Sequence, residues 1–332
     1  MMKKVLSALT AIAFAGAYAA SLTVGGQVNA GIKVTGGNHG EETKVQYYLD
    51  AGDTKIFLKY KDEAKGIEGV LVGAFDGVAV NVNNENEIET VASLFRAKEA
   101  WIKFDLFRSG DVGAYMILGL QPNIIKVCDI SINGVYGPDG GNYAKTDEAV
   151  TLGISLGETK LQATLVDPKG NKGFYSLAEV ASVFPTKYAD VAVALDMNPG
   201  VLGYKQDDRW LAYGYVNIKA IEPVGIEAQA YYGKYTEDDN STISGVAVKV
   251  ASKKGFKLIS KTAKPYVQVE YVSDNNVRLF AVNAGTKVSY NKHLTENGYI
   301  RYIAIKDTTR EKTSLEVGGD FTLKFAKSIP LD

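Results

Sequence analysis

The residue whose setting most invites covalent chemistry is Ser155, in Gly153-Ile154-Ser155-Leu156-Gly157. That is the G-x-S-x-G spacing in which a serine on a strand-to-helix elbow becomes a nucleophile. Here the serine sits inside an alternating run, Val150, Leu152, Ile154 and Leu156, that ends in a two-residue link, Gly157-Glu158. An acyl-transfer triad also needs an imidazole, and the chain has two histidines, His39 and His293, each in a loop or strand-end setting. Ser155 therefore reads as a strand residue, and no enzyme activity is expected. One cysteine, Cys128, allows neither a Cys/His metal cluster nor an intrachain disulfide. No phosphate-cradling glycine loop is present, and Asn240-Ser241-Thr242 is a formal sequon that reads as part of an ordinary acidic loop. No cofactor is expected.

What remains is charge at a spacing of two. Lys33, Lys55, Lys59, Lys103, Lys160 and Lys287, with Arg301, each share a face with the polar members of their own segments. Cations set out this way can line a wet surface and bias ions and dipolar solutes by their field. Any one of them taken alone can equally be a solvated side chain.

The elements that would position these groups are strands. The stretch Ser314–Phe325, SLEVGGDFTLKF, puts Leu315, Val317, Phe321, Leu323 and Phe325 on one face. Glu316, Asp320, Thr322 and Lys324 fall on the other, which is the period of a strand and not of a helix. Alternation recurs in sixteen segments, near 22–35, 54–61, 67–80, 97–107, 112–121, 148–157, 159–167, 187–196, 200–206, 209–220, 224–235, 243–253, 262–273, 278–291, 298–306 and 313–325. Residues 44–51 either extend the second strand or belong to the first loop. Short links, such as 64–66, 108–111, 157–158 and 198–200, join strands in pairs, and longer polar links at 81–96, 122–147, 167–186 and 236–242 separate the pairs. TVASLFRAKEA and SLAEVASVF are the most helix-like fragments, both largely within loops.

Composition narrows the setting. Lys3 and Lys4, the apolar run Val5–Ala17 and Ala17-Tyr18-Ala19 have the anatomy of a secretory signal peptide, so residues 1–20 are set apart from the fold and residues 21–332 form the mature domain. The apolar run is well short of the ~20 residues a helix needs to span a bilayer. A net charge of −1 argues against a nucleic-acid partner. Twenty tyrosines against eight prolines favour strands. Tyr47, Tyr60, Tyr213, Tyr215, Tyr232, Tyr271, Tyr290 and Tyr302 fall near strand ends on plausible outward parities, as interfacial girdle residues would. A greasy face and a wet face on nearly every strand fit a transmembrane barrel, with a secreted or surface β-rich structural or adhesion protein as the alternative.

Three places carry a resemblance to a family. Lys98, Glu99, Ala100 and Trp101, followed by Gly119, Leu120 and Gln121 in KEAWIKFDLFRSGDVGAYMILGLQP, are similar to the segment of general bacterial porins just before their third loop. KDEAKGIEGVLVG resembles the family's acidic turn and following strand, and the closing strand carries Phe325. The family's terminal aromatic is usually the last residue, whereas here AKSIPLD follows. The resemblance implies an all-β transmembrane antiparallel barrel of about 16 strands, with 14 or 18 as alternatives, short periplasmic turns and long external loops. It implies a passive diffusion channel for ions and small hydrophilic solutes in a Gram-negative-type outer membrane, exported through the Sec pathway and assembled as a homotrimer. It also implies that loop 122–147 folds inward, bringing Asp129, Asp139 and Asp147 with Lys126 and Lys145 to a constriction opposite the wall cations.

Overall fold

In a computed structural model the protein is described over residues 20–37, 44–49, 54–75, 78–82, 88–91, 95–120, 149–166, 176–197, 209–235, 242–258, 261–274, 277–308 and 310–331. Among the described residues, twenty strand segments follow one another. The first are β1 (Ala20–Gly37), β2 (Lys44–Leu49), β3 (Lys55–Asp62), β4 (Ile67–Phe75), β5 (Val78–Val82), β6 (Ile88–Val91) and β7 (Phe95–Ser109). Next come β8 (Val112–Leu120), β9 (Val150–Leu156), β10 (Thr159–Val166), β11 (Ser176–Pro185), β12 (Ala189–Met197) and β13 (Arg209–Ile218). The last are β14 (Val224–Tyr235), β15 (Thr242–Ser252), β16 (Phe256–Leu258), β17 (Lys261–Asp274), β18 (Val277–Ser289), β19 (Leu294–Lys306) and β20 (Glu311–Leu331).

Segments that share a partner are one barrel strand interrupted. β2 and β3 both pair with β1, β5 carries on from β4, β6 leads into β7, and β15 and β16 both pair with β17. The result is a closed antiparallel barrel of 16 strands, shut by β1 against β20 from Ala20↔Leu331 to Gly37↔Ser314. None of the described residues is helical. Residues 44–49 thus belong to the second strand. The expected strand at 200–206 lies outside the described residues.

Two fragments read as helix-like are strands where they are described: β11 contains SLAEVASVF, and residues 90–91 and 95–100 of TVASLFRAKEA belong to β6 and β7. The residues after Phe325 are likewise not a loose tail, because β20 continues to Leu331 and pairs with β1 throughout. The partner decides in each case. A segment flanked by two strands meets its backbone hydrogen-bonding needs by joining the ladder, whatever its local propensity.

Burial is inverted relative to a water-soluble sandwich. On β9, Leu152 and Ile154 are 48% and 49% exposed, while Thr151, next to Leu152 and on the opposite face, is wholly buried and bonds Thr164 of β10 at 2.7 Å between hydroxyl oxygens. The same parity runs round the ring. Val246, Val248 and Val250, Val267 and Val269, and Leu315, Val317 and Phe321 all stand on the outer face. Gln162, Gln229, Gln268, Glu270 and Glu316 are buried on the inner one. An outer face this apolar requires a non-aqueous surrounding, since it exposes far more contiguous apolar surface than a soluble monomer shows.

Register is pinned by aromatic rings laid over glycines on the inner face. Tyr115, Tyr231, Tyr266 and Tyr299 stand directly opposite Gly153, Gly245, Gly285 and Gly318 on the following strand. A β-carbon at those glycines would meet the ring or its hydroxyl at 2.1, 2.4, 2.6 and 2.6 Å. Only glycine leaves room for the ring to lie flat on the neighbouring strand, which holds the two strands in one alignment. At the rim, Gly110 and Gly157 have φ of 58° and 61°, as tight two-residue hairpins joining twisted strands require. Successive turns are tied together: the Gly157 amide donates to the Asp111 carbonyl at 2.7 Å, and the Lys253 ammonium donates to the Lys219 and Ile221 carbonyls at 2.7 and 2.9 Å.

Candidate functional site

The inner face is the place where polar side chains converge. Because strands in a closed barrel are tilted, residues distant in sequence fall into one row. Asp190 stands opposite Asn217, Asn217 opposite Glu227, and Glu227 opposite Lys249. The row continues through Gln268, Asn283 and Arg301 to Glu316. It crosses eight strands and holds three acids, three amides and two bases. Gln268 Nε2 donates to Glu270 Oε1 from within it. The buried Asn283 Oδ1, Arg301 Nε and Gln229 Oε1 have no protein partner among the described residues.

The cations expected on the wet face all fall on inner-face parity. Lys33 approaches Glu316 at 3.4 Å across the β1–β20 seam. Lys55 and Lys59 stand opposite Gln27 and Thr23 of β1, and the Lys59 ammonium lies 5.2 Å from the centre of the Phe57 ring. Lys103 pairs with Asp105 at 3.0 Å and lies 4.9 Å from the Tyr115 ring centre. Lys160 stands opposite Ser155, Lys287 opposite Asn297, and Arg301 between Asn283 and Glu316. The loop residues Lys126, Asp129, Asp139, Asp147 and Lys145 lie outside the described residues, as does Cys128.

Several lumen groups were not singled out in the sequence: Glu227, Lys249, Gln268, Glu270 and Asn283. The available signal was parity, since each alternates with outward valines or alanines, but its row becomes visible only through the register. The tyrosines divide. Tyr232, Tyr271, Tyr290 and Tyr302 are exposed on the outer face as expected, and Trp210 meets Tyr232 edge-on at 5.8 Å between ring centres. Tyr215 is instead buried, opposite Ala192 and the buried Gln229, on the inner face. Tyr60 is also buried, its hydroxyl donating to Asp62 at 3.4 Å. The side chains of Tyr47 and Tyr213 lie outside the described set. Among the described residues no group of three His, Cys, Asp or Glu side chains is placed to hold a metal ion.

A sixteen-stranded antiparallel barrel, apolar outside and polar within, is the class of fold these observations define. No protein-family model and no curated protein matches the chain. Among solved structures it is similar to the anion-selective porin from Comamonas acidovorans, at 10% identity over 92% of this chain and 100% of that one, with a TM-score of 0.61. OprB from Pseudomonas putida matches at 11% identity over 96% of each chain, with a TM-score of 0.57. OmpT, an outer-membrane protein of Vibrio cholerae in its trimer form, matches at 12% identity over 92% of this chain and 100% of that one, with a TM-score of 0.53. At these identities it is the fold that is shared: the chain has the barrel fold of bacterial outer-membrane porins.

Proposed function

We propose that the protein is an outer-membrane porin, a water-filled channel through which ions and small hydrophilic solutes diffuse passively. The observation that carries this reading is the inversion of burial, with valine, leucine and isoleucine exposed outside and glutamine, glutamate and threonine buried inside. A barrel of sixteen strands is wide enough to leave an aqueous lumen. The reading includes export under a signal peptide at residues 1–20 and assembly as a trimer, the form in which the Vibrio cholerae protein occurs. In it, loop 122–147 narrows the lumen with Lys126, Asp129, Asp139 and Asp147. The wall cations Lys33, Lys55, Lys59, Lys103, Lys160, Lys287 and Arg301 set ion preference.

Planar-bilayer recording of the detergent-purified protein tests it. Stepwise, ohmic conductance is expected, with a shift in ion preference when Asp129 or Asp139 is neutralised that grows at low salt, where the Debye length reaches about 30 Å at 0.01 M. A protein that stays soluble without detergent and inserts no conducting steps would overturn the reading in favour of a surface structural protein.

A further inference from the structure

We propose that the short-turn mouth of the lumen carries a binding site for small zwitterions, with Arg108 and Lys160 taking the carboxylate and Asp111 and Glu158 taking the ammonium. Solute access to this site rests on the channel reading, and the site deepens that reading by naming a substrate class.

The register builds it. Arg108 of β7 stands opposite Gly113 of β8, Gly113 opposite Ser155 of β9, and Ser155 opposite Lys160 of β10. Two cations therefore stand at the ends of one row across four strands, about 14 Å apart at the backbone given a spacing of about 4.8 Å per strand. Their long side chains can converge over the short floor between them. That floor is kept low, since a β-carbon on Gly113 would meet Ser155 Oγ at 2.7 Å. The hydroxyl of Ser155 adds a donor where an oxyanion would rest. All four residues line one cavity of about 540 Å³.

The acids lie nearer the rim on the same two hairpins. RSGDVG and SLGETK each follow their turn glycine with an acid, Asp111 and Glu158, and the two turns are joined by the bond from the Gly157 amide to the Asp111 carbonyl at 2.7 Å. Both acids line the same cavity. Its other ammonium, that of Lys103, is already held by Asp105 at 3.0 Å. Arg108 and Lys160 form no ion pair among the described residues. One row deeper the Tyr115 ring lies over Gly153 with its hydroxyl donating to Gln162 Oε1 at 3.2 Å, which closes the cavity with a flat apolar wall.

The charge balance selects the ligand class. The cavity holds three basic side chains, Lys103, Arg108 and Lys160, against four acidic ones, Glu68, Asp105, Asp111 and Glu158. A simple anion would meet the acids and a simple cation the bases. A molecule with a carboxylate at one end and an ammonium at the other meets both, cation row inward and acid tips outward.

The test uses the full chain in detergent, with glycylglycine as probe and saturation-transfer NMR as readout. Saturable binding in the millimolar range is expected, weakened at least tenfold in Arg108→Gln/Lys160→Gln and in Asp111→Asn/Glu158→Gln. N-acetylglycine, which lacks the ammonium, should bind the unaltered protein at least tenfold more weakly and be indifferent to the second pair of substitutions. Sheet circular dichroism and heat-modifiable migration establish that each variant is folded, and the comparison of the two ligands needs no variant. No saturable binding, or binding unchanged in Arg108→Gln/Lys160→Gln, overturns the site. Equal affinity for N-acetylglycine reduces it to an anion site and overturns the zwitterion assignment. The readout does not require conduction, so a protein that binds but does not conduct refutes the channel reading alone.

Discussion

Placing a methyl group on Gly153 tests whether tyrosine-over-glycine contacts hold the barrel in register. The new β-carbon would stand 2.1 Å from Tyr115 Cζ and 2.5 Å from its hydroxyl, against an ordinary contact of 3.4–4 Å, so the ring must lift by more than an ångström. Lifting it strains a side chain only 6% exposed and breaks the 3.2 Å bond to Gln162. Overpacking a close-fitted site costs about 1–3 kcal/mol and the lost hydrogen bond about 1 kcal/mol. Against this, alanine in place of glycine recovers about 0.5–1 kcal/mol by restricting the unfolded chain. Gly153→Ala should therefore destabilise by about 1–3 kcal/mol. In a Tyr115→Ala background, with no ring to displace, the same substitution should be neutral or slightly stabilising. The cycle thus predicts a coupling of about 2–4 kcal/mol, measured by urea unfolding in lipid vesicles with tryptophan fluorescence as the signal. Equal destabilisation in both backgrounds would refute the reasoning, because the cost would then belong to the glycine backbone and not to the ring above it.

Two further outcomes follow from the two faces. Val269→Lys places a charge on the outer face at the middle of β17, 41% exposed in the isolated chain, and should cost about 2–4 kcal/mol in the same vesicle assay, whereas Lys287→Gln on the inner face should stay within about 0.5 kcal/mol. In the turn after β18, the hydroxyl of Tyr290 donates to the Glu296 carboxylate, and that bond holds the phenol above its ordinary pKa of 10.0. A group whose folded pKa is raised contributes stability below pH 10 and loses it as pH rises through the folded value. Glu296→Gln should bring the Tyr290 titration, followed by carbon-13 NMR, back toward 10.0.

The barrel was legible wherever one face was greasy and the other wet, and illegible where that contrast fails. β11 is the clearest case. Ala181 on its inner face is buried in a cluster with Ala194, Tyr231, Ala247, Val272, Leu279 and Ala281, so the wall here is apolar inside as well as out. With both faces apolar, Leu177, Ala178, Val180, Ala181 and Phe184 lose the period of two and mimic a helical stripe. Only its place between β10 and β12 makes the segment a strand. The last residues of β20 hid for another reason, since AKSIPL contains a proline. The Lys324 amide donates to His293, away from β1, and Pro330, six residues on, has the same orientation. Its missing N–H therefore removes no bond to β1, which is where proline is tolerated in a sheet.

For the lumen, parity gives the face of a residue but not its height, and height decides which charges meet. Lys33 and Glu316 are both polar-face residues at opposite ends of the chain, and nothing in either segment says that they are neighbours. They approach because closure sets Lys33 opposite Gly318 and Thr35 opposite Glu316, leaving the lysine one diagonal step from the acid. The same arithmetic brings Arg108 and Lys160, 52 positions apart, into a single row, and strings Asp190 to Glu316 along another. Ser155, whose motif pointed to a nucleophile, gains its role from this geometry instead. It is the hydroxyl on the floor between two cations, a place for a donor that no linear motif describes.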